Sequence, residues 1–543
     1  MTLDALPPRS LRTLPLAPLL VALLFSAAPV SMGQEPPSAP GPQALPSDPA
    51  GGSAAEEKPR RSITLTVDEC VELAIRQNHG LAADWLARRI ADAGIEEARG
   101  AFDPIFGTTA SWAEDRVPIG SALGGASVLE DSVITWDSSL GGLLPTGLTY
   151  DVTWNVVNTD NNNSFQLFNP QTRNSLTVNV TQPLLRGAWT TVNEQQIRSA
   201  EIAKSTSDED FNAALSTLIH GVRSAYWDLS FARRNVQLRK ANLELGQESV
   251  RITRRRYAEG LVPASDILTA TAEVYRREEA LISAQNVLYN AEDALKRLIF
   301  AFANRPEWDF EIVSGTAPRE PGGIPTPALE SALADAFRDR ADLRSQRLSL
   351  RQRELDLFVA RNGLQPQLDL VGSWRSQALG TELSDTWEDT LTGEEQSYSV
   401  GLQLSVPIGN TAARARLRRA ELQIRQSVEL LRELENQIAT EVRTAVRDLH
   451  YLQRKWEAAV QTRRNTEEDH RAQRVKLDLG LITQFDLQTV EQNLVQSRTS
   501  EVEAQTDHER ALSNFERVIG RSYREGWIQG LVAASRLGRN AAL

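Results

Sequence analysis

Large apolar side chains recur every seven residues along two long segments of the chain. In the first they stand at Leu215, Val222, Leu229, Val236, Leu243, Val250 and Tyr257, with Leu218, Ala225 and Ala232 interleaved. A strict heptad has a 3.5-residue period, and helices that carry it supercoil left-handedly to keep one seam against a partner. Beyond a break at RYAEGLVPASDILTA (Arg256 to Ala270) the spacing resumes through Ile267, Ala270, Val274, Leu281, Ala284, Leu288, Ala291, Leu295 and Leu298. The pattern predicts an antiparallel helical hairpin whose first arm, from about Trp189 to Tyr257, extends roughly 100 Å at 1.5 Å per residue. A second hairpin follows through Ile438, Val442, Ala445, Leu449, Leu452, Trp456, Ala459 and Leu477. It turns at KLDLGLITQFDLQT (Lys476 to Thr489) and returns through Leu487, Val490, Leu494, Ala511, Phe515 and Val518. Arg463 and His470 interrupt its seam.

The two turns are copies in register: Gly260 and Gly480, like Asp266 and Asp486, stand 220 residues apart (480 − 260, 486 − 266). Upstream, helical segments from Leu65 and from about Leu329 correspond at an offset of 262 (336 − 74), matching Ala74 with Ala336, Leu81 with Leu343 and Trp112 with Trp374. The larger offset means that the first copy holds extra residues, and aligning Pro183 with Pro407 places nearly all of them between Trp112 and Pro183. There the period changes to two. Leu176, Val178 and Val180 alternate with polar residues, as do Val400, Leu402, Leu404 and Val406; Tyr150, Val152, Trp154 and Val156; and Ile134 and Trp136. Strands with one apolar and one polar face, and Trp near their ends, suit a membrane barrel with a wet lumen. They equally suit a half-buried soluble sheet.

At the amino terminus Arg9 and Arg12 precede an apolar run from Leu14 to Phe25 and small residues to Gly33, which reads as a secretory signal peptide. No cysteine near that site offers a lipid anchor. Residues 34–61, dense in Pro, Ala, Gly and Ser, read as a flexible leader. No run of 18 apolar residues occurs elsewhere, and the mean hydropathy is −0.34, which argues against bilayer-spanning helices. A net charge of −12 and a pI near 5.2 argue against nucleic acid as a partner. The single cysteine, Cys70, lies in a helical apolar pattern and reads as a packed small residue. His79, His220, His450, His470 and His508 are scattered, with no metalloprotease pair, nucleophile elbow or phosphate loop; the chain reads as no enzyme and holds no cofactor. One cysteine and two methionines near the amino terminus give no soft-ligand ladder for a metal.

Helix, strands, long helix, turn and helix, all duplicated, resemble the TolC-like outer-membrane efflux proteins. The resemblance covers roughly Leu65 to Gly520 and rests on the tip motif R-Y-x-x-G-L-x-x-x-x-D-x-L-x-A, on TQPLLRG (Thr181 to Gly187) and on SVPIG (Ser405 to Gly409). It implies a mainly α chain with membrane β: coiled-coil hairpins, and strands pooled by a homotrimer into one outer-membrane β-barrel that the helices continue through the periplasm. It also implies a periplasmic adaptor and an inner-membrane transporter as partners, in efflux or type I secretion, with outer-membrane lipid around the barrel. Members contribute four strands each, so the extra pair flanking Gly141 to Gly147 departs from the pattern. The alternative is a trimeric coiled-coil surface protein or adhesin.

The expected divisions are a signal peptide (1–33), a leader (34–61), a first repeat (62–310: helix 65–99, strands 104–183, hairpin 188–300) and a connector (311–326). A second repeat (327–520: helix 328–362, strands 366–407, hairpin 411–519) and a tail (521–543) complete them. Asp266 and Asp486 fall in first helical turns, where a carboxylate favours the dipole and Thr483-x-x-Asp486 forms a capping pair. By the resemblance the same two aspartates line the pore constriction, six carboxylates in a trimer. Gly260, Leu261, Gly480 and Leu481, small and apolar at a solvent-facing turn, are the expected adaptor contacts. Ile482 and Thr489 stand where some relatives carry a latch arginine and a second acid, which points to a looser or apolar closure.

Overall fold

The computed structural model describes residues 61–118, 120, 127–301, 306–323, 327–393, 395–524 and 526–540. The expected signal peptide and all but residue 61 of the leader lie outside the described residues. In chain order come β1 (Ser62–Leu65), α1 (Val67–Gln77), α2 (His79–Arg99), β2 (Ile105–Pro118), β3 (Val128–Leu143), β4 (Thr149–Asn161) and β5 (Gln171–Pro183). Next are α3 (Thr190–Asn193), α4 (Gln195–Ala258), α5 (Ala264–Ile299), β6 (Glu311–Ser314), α6 (Leu329–Asp339) and α7 (Ala341–Asn362). The last are β7 (Gln367–Gly380), α8 (Leu383–Thr392), β8 (Gln396–Ser405), α9 (Thr411–Asp478), α10 (Gln484–Val518) and α11 (Gly526–Asn540).

The heptads become α4 and α9, of 64 and 68 residues, each roughly 100 Å long. Leu215, Val222, Leu229 and Val250 are buried, as are Ile438, Val442 and Leu449. Where Arg463 interrupts the second seam, α9 and α10 are joined by charge: Arg463 pairs with Glu501, and Arg498 with Glu467 at 2.9 Å.

Two expected single helices are broken. Asn78 takes an extended backbone (φ −68, ψ 121), and its side chain accepts from the Leu81 N–H at 3.0 Å, so it ends α1 and caps α2. A short polar side chain that bonds nearby backbone competes with helix continuation. In the second half the break falls at Arg340, also extended (φ −68, ψ 127), whose guanidinium reaches Asp342 and Glu441, each at 2.6 Å.

Within the stretch expected as a tail, residues 526–540 form α11. Tyr523, Ile528 and Val532 are buried in a core with Cys70, Val71, Ile75, Leu215, Ile219 and Tyr226, because residues at i and i+4 share one helix face and α11 lays that face on α1. The stretch 311–326 likewise holds β6, which pairs in parallel with β1. Tyr226 ties this region together, its hydroxyl donating to the Leu65 carbonyl at 3.1 Å.

Six strands form one antiparallel sheet in the order β2-β3-β4-β5-β7-β8. The extra pair, β3 and β4, is hydrogen-bonded within it on both sides. The β3–β4 turn is clamped to the corner after β5: Asn193 Nδ2 donates to the Pro145 carbonyl at 3.3 Å and Gln182 Nε2 to the Thr146 carbonyl at 3.1 Å. Gly147 (φ +87) is required by close approach, since a Cβ there would overlap the Gly187 carbonyl oxygen.

Candidate functional site: the hairpin tips and the two faces of the sheet

Both long helices end in the same hydrogen-bonded turn. At the first, Gly260 N–H donates to Tyr257 O at 2.9 Å and Leu261 N–H to Arg256 O at 2.9 Å; at the second, Gly480 N–H donates to Leu477 O at 3.0 Å and Leu481 N–H to Lys476 O at 2.8 Å. This is the Schellman arrangement, closed by a left-handed residue, and Gly260 and Gly480 sit at φ +72 and +73. Such a motif commonly buries the residue after the glycine against the helix. Here that contact is absent, leaving Leu261 68% and Leu481 70% exposed.

The two tip aspartates are held differently. Asp486 completes a capping box: its Oδ2 accepts from the Thr483 N–H at 2.9 Å and the Thr483 hydroxyl at 2.6 Å, while Thr483 Oγ1 accepts from the Asp486 N–H at 3.3 Å. Those bonds hold its carboxyl below the ordinary value, the Thr483 side chain first. Asp266 follows Pro263, which supplies no cap; its carboxylate accepts from Ser265 Oγ at 3.3 Å. The capping role therefore occupies Asp486 and leaves the Asp266 carboxylate to its surroundings. The tips lie at one end of the molecule, where Gln484 Nε2 in α10 donates to Ser249 Oγ of α4 at 2.7 Å.

A buried charge cluster above the tips was not read from the sequence. Arg277 of α5, only 3% exposed, bonds Glu273 at 3.1 Å, Glu491 of α10 at 3.1 Å and the Asn242 carbonyl of α4 at 2.9 Å. Gln492 Nε2 adds a bond to Glu273 at 2.7 Å. The signal was present. Arg277 stands in a heptad column with Ala270, Ala284 and Ala291, and opposes Gly246, whose missing side chain makes room for it. Burial works to raise the Glu273 carboxyl, but the bonds from Gln492 and Arg277 and the charges of Arg277 and Arg276 outweigh it and hold it below the ordinary glutamate value.

The sheet has two unlike faces. One carries an unbroken apolar row through all six strands, Phe106, Leu140, Val152, Val178, Trp374 and Tyr398, paired in that order. The opposite face carries Gly107, Ser139, Thr153, Thr177, Arg375 and Ser397, with a wet groove that includes Asn155, Arg173 and Gln377. On the apolar side α8 lies against β5 and β7, with Trp387 edge-on to Trp154 at 4.7 Å between ring centroids and Ser376 Oγ donating to the Thr390 carbonyl at 2.7 Å. Leu383, Trp387 and Leu391 remain exposed along that helix.

No described helix is long and apolar enough to cross a membrane, whereas the sheet presents an apolar face backed by a polar one. Such a sheet, continued into paired helical hairpins, has the two-faced character of a membrane β-barrel wall. The model of the outer membrane efflux protein family matches residues 70–299 and 332–521, and the chain belongs to that family, one of channels rather than enzymes. It is similar to CyaE of Bordetella pertussis, 23% identical over 266 residues (49% of this chain, 54% of that protein). It is also similar to TolC of Vibrio cholerae, 24% identical over 240 residues (44% and 52%). The chain thus spans about half the length of the curated relatives it matches. Its fold is that of the CmeC outer membrane channel of Campylobacter jejuni, with a TM-score of 0.62 at 16% identity over 91% of this chain and 97% of that one.

Replacing Arg277 by Leu takes from Glu491 its ion-pair partner and leaves Glu273 with Gln492 and Arg276 alone, and loss of one partner from a buried pair costs about 3–5 kcal/mol. Limited proteolysis should then cut α5 and α10 near the tips, and replacing all three residues by Leu should restore much of the resistance. Because the folded Glu273 value is depressed, its contribution is complete above the ordinary glutamate range and is lost as pH falls through the lowered value. Wild-type tips should stay protected through mild acid; equal cleavage of wild type and Arg277→Leu at neutral pH would contradict the tie.

Proposed function

We propose that three copies of this chain form a passive exit duct through the outer membrane, serving a tripartite efflux or type I secretion system. The observation that carries this is the open sheet, which ends at β2 on one side and β8 on the other while offering an apolar face to lipid. Unpaired strand edges cannot stand in hydrocarbon, so the sheet must be closed by further strands. Family membership favours copies of the same chain as their source, and the two halves of the chain read as internal repeats.

The helices support the same assembly. Besides the seam that faces α4, α5 carries Leu268, Tyr275 and Ile282 at seven-residue spacing, 73%, 65% and 60% exposed. On α9, Ala458, Asn465 and Ala472 form an exposed column with the same spacing, flanked by Tyr451 and Leu479. The first helix rises from its tip and the second descends to its own, so bulky residues on one edge meet small ones on the other. A surface that matches a different surface of the same chain closes rings.

At the periplasmic end the exposed Leu261 and Leu481 are the contacts for an adaptor, which links the duct to an inner-membrane transporter. Changing both to Ser should leave assembly intact and abolish export, measured as dye extrusion by cells; undiminished extrusion would remove the adaptor role. Asp266 and Asp486 line the constriction, contributing carboxylates around one axis that favour cations. Replacing both by Asn should weaken cation preference, read as a reversal-potential shift in a salt gradient across a planar bilayer, with assembly unchanged. Identical preference in both proteins would leave the aspartates with structural roles alone. The reading carries no catalytic step and no cofactor.

A further inference from the structure

We infer that each copy contributes six strands to the membrane wall, so that the trimer proposed above closes an eighteen-stranded barrel with a wide aqueous lumen. The inference rests on that trimer for the total, and on the sheet for the number per copy.

Register, rather than strand count alone, places β3 and β4 in the wall. β3 pairs with β2 from Ile105↔Gly141 to Pro118↔Val128, and β4 pairs with β5 from Thr149↔Thr181 to Thr159↔Gln171. All four strands therefore occupy one axial span. A one-residue slip would turn every apolar side chain of a strand to the other face, yet no slip occurs. Leu140 and Val152 fall within the apolar row that begins at Phe106 and ends at Tyr398, and Ser139 and Thr153 fall within the polar row beside it. Tyr150 extends the apolar surface opposite Val180. A hairpin outside the bilayer would have no reason to carry this polarity in phase with strands inside it.

The hairpin is also anchored at the helix-side end. Its turn is held by Gln182 and Asn193, which donate to the Thr146 and Pro145 carbonyls, against the corner where β5 gives way to α3, and Gly147 permits the approach. An excursion away from the sheet would break those bonds.

Barrel diameter grows linearly with strand number. At about 4.8 Å between strands and a tilt of about 40°, eighteen strands give roughly 36 Å between backbones, against roughly 24 Å for twelve. Side chains of about 5 Å on each wall leave a lumen of roughly 25 Å. An α-helical segment about 10–12 Å across, or a hydrated solute, passes without touching both walls. The exit is then never the narrowest part of the duct, and selection of cargo falls to the hairpin tips.

The test is cryo-electron microscopy of the full-length protein in lipid nanodiscs. Six strands per copy in the wall, eighteen around a threefold axis, are expected. Four per copy with β3 and β4 displaced from the wall would overturn the inference even if three copies are seen. A ring of another number of copies would contradict the trimer, and strands per copy would still decide this proposal. A labelling experiment reads the same point without a map. In membranes, Ser139→Cys in the lumen should react with a charged maleimide about tenfold or more faster than Leu140→Cys facing lipid. Equal rates would overturn the inference. Background is low, because Cys70 is fully buried and burial pushes its thiol up to about 12.

Discussion

Backbone hydrogen bonding at the sheet edges is the constraint on which the rest depends. Each strand between β2 and β8 has partners on both sides, but among the described residues the outer edges of those two have none. In water such edges are solvated; in hydrocarbon each unsatisfied N–H or C=O costs several kcal/mol. A sheet with an apolar face is therefore incomplete as a single chain, and its completion dictates assembly. The helices fit the same proposal: α5 carries a second, exposed apolar stripe at Leu268, Tyr275 and Ile282 beside the seam that faces α4.

The tips show how a solvent-facing end can be fixed without a core. Each turn satisfies its own orphan carbonyls through the same pair of backbone bonds, and α10 adds a side-chain capping box at Thr483 and Asp486. Apolar side chains are then free to face outward, as Leu261 and Leu481 do. Stability at this end comes from a little higher up, where Arg277 joins α4, α5 and α10 in one buried polar cluster.

Much of this was legible in the sequence, because the two periods involved are strict. Seven-residue spacing pointed to both hairpins and both turns, and alternation pointed to four of the six strands of the large sheet, including Tyr150 to Val156 in the extra pair; β2 and β7 were reached only through the match of Trp112 with Trp374. What escaped had weaker or competing signals. Asn78 and Arg340 break helices that apolar periodicity alone would run through; at Asn78 a local side-chain bond to the backbone outcompetes one more helical turn, and at Arg340 the guanidinium is held by Asp342 and Glu441. Residues 526–540 lie beyond the duplicated pattern, yet Ile528 and Val532 help to close a core already formed by α1 and α4. The outer stripe of α5 lay one residue out of phase with the seam and was masked by it. Ion pairs explain why Arg463 could occupy a heptad position at all.

The central claim is that one chain is structurally incomplete and that three make the duct. Light scattering of the detergent-extracted protein, corrected for bound detergent, measures this directly. A single species near three times the chain mass of 60.1 kDa, less any processed leader, is the expected result. A stable, monodisperse monomer would contradict the account, because it would leave the edges of β2 and β8 without the partners that the membrane demands.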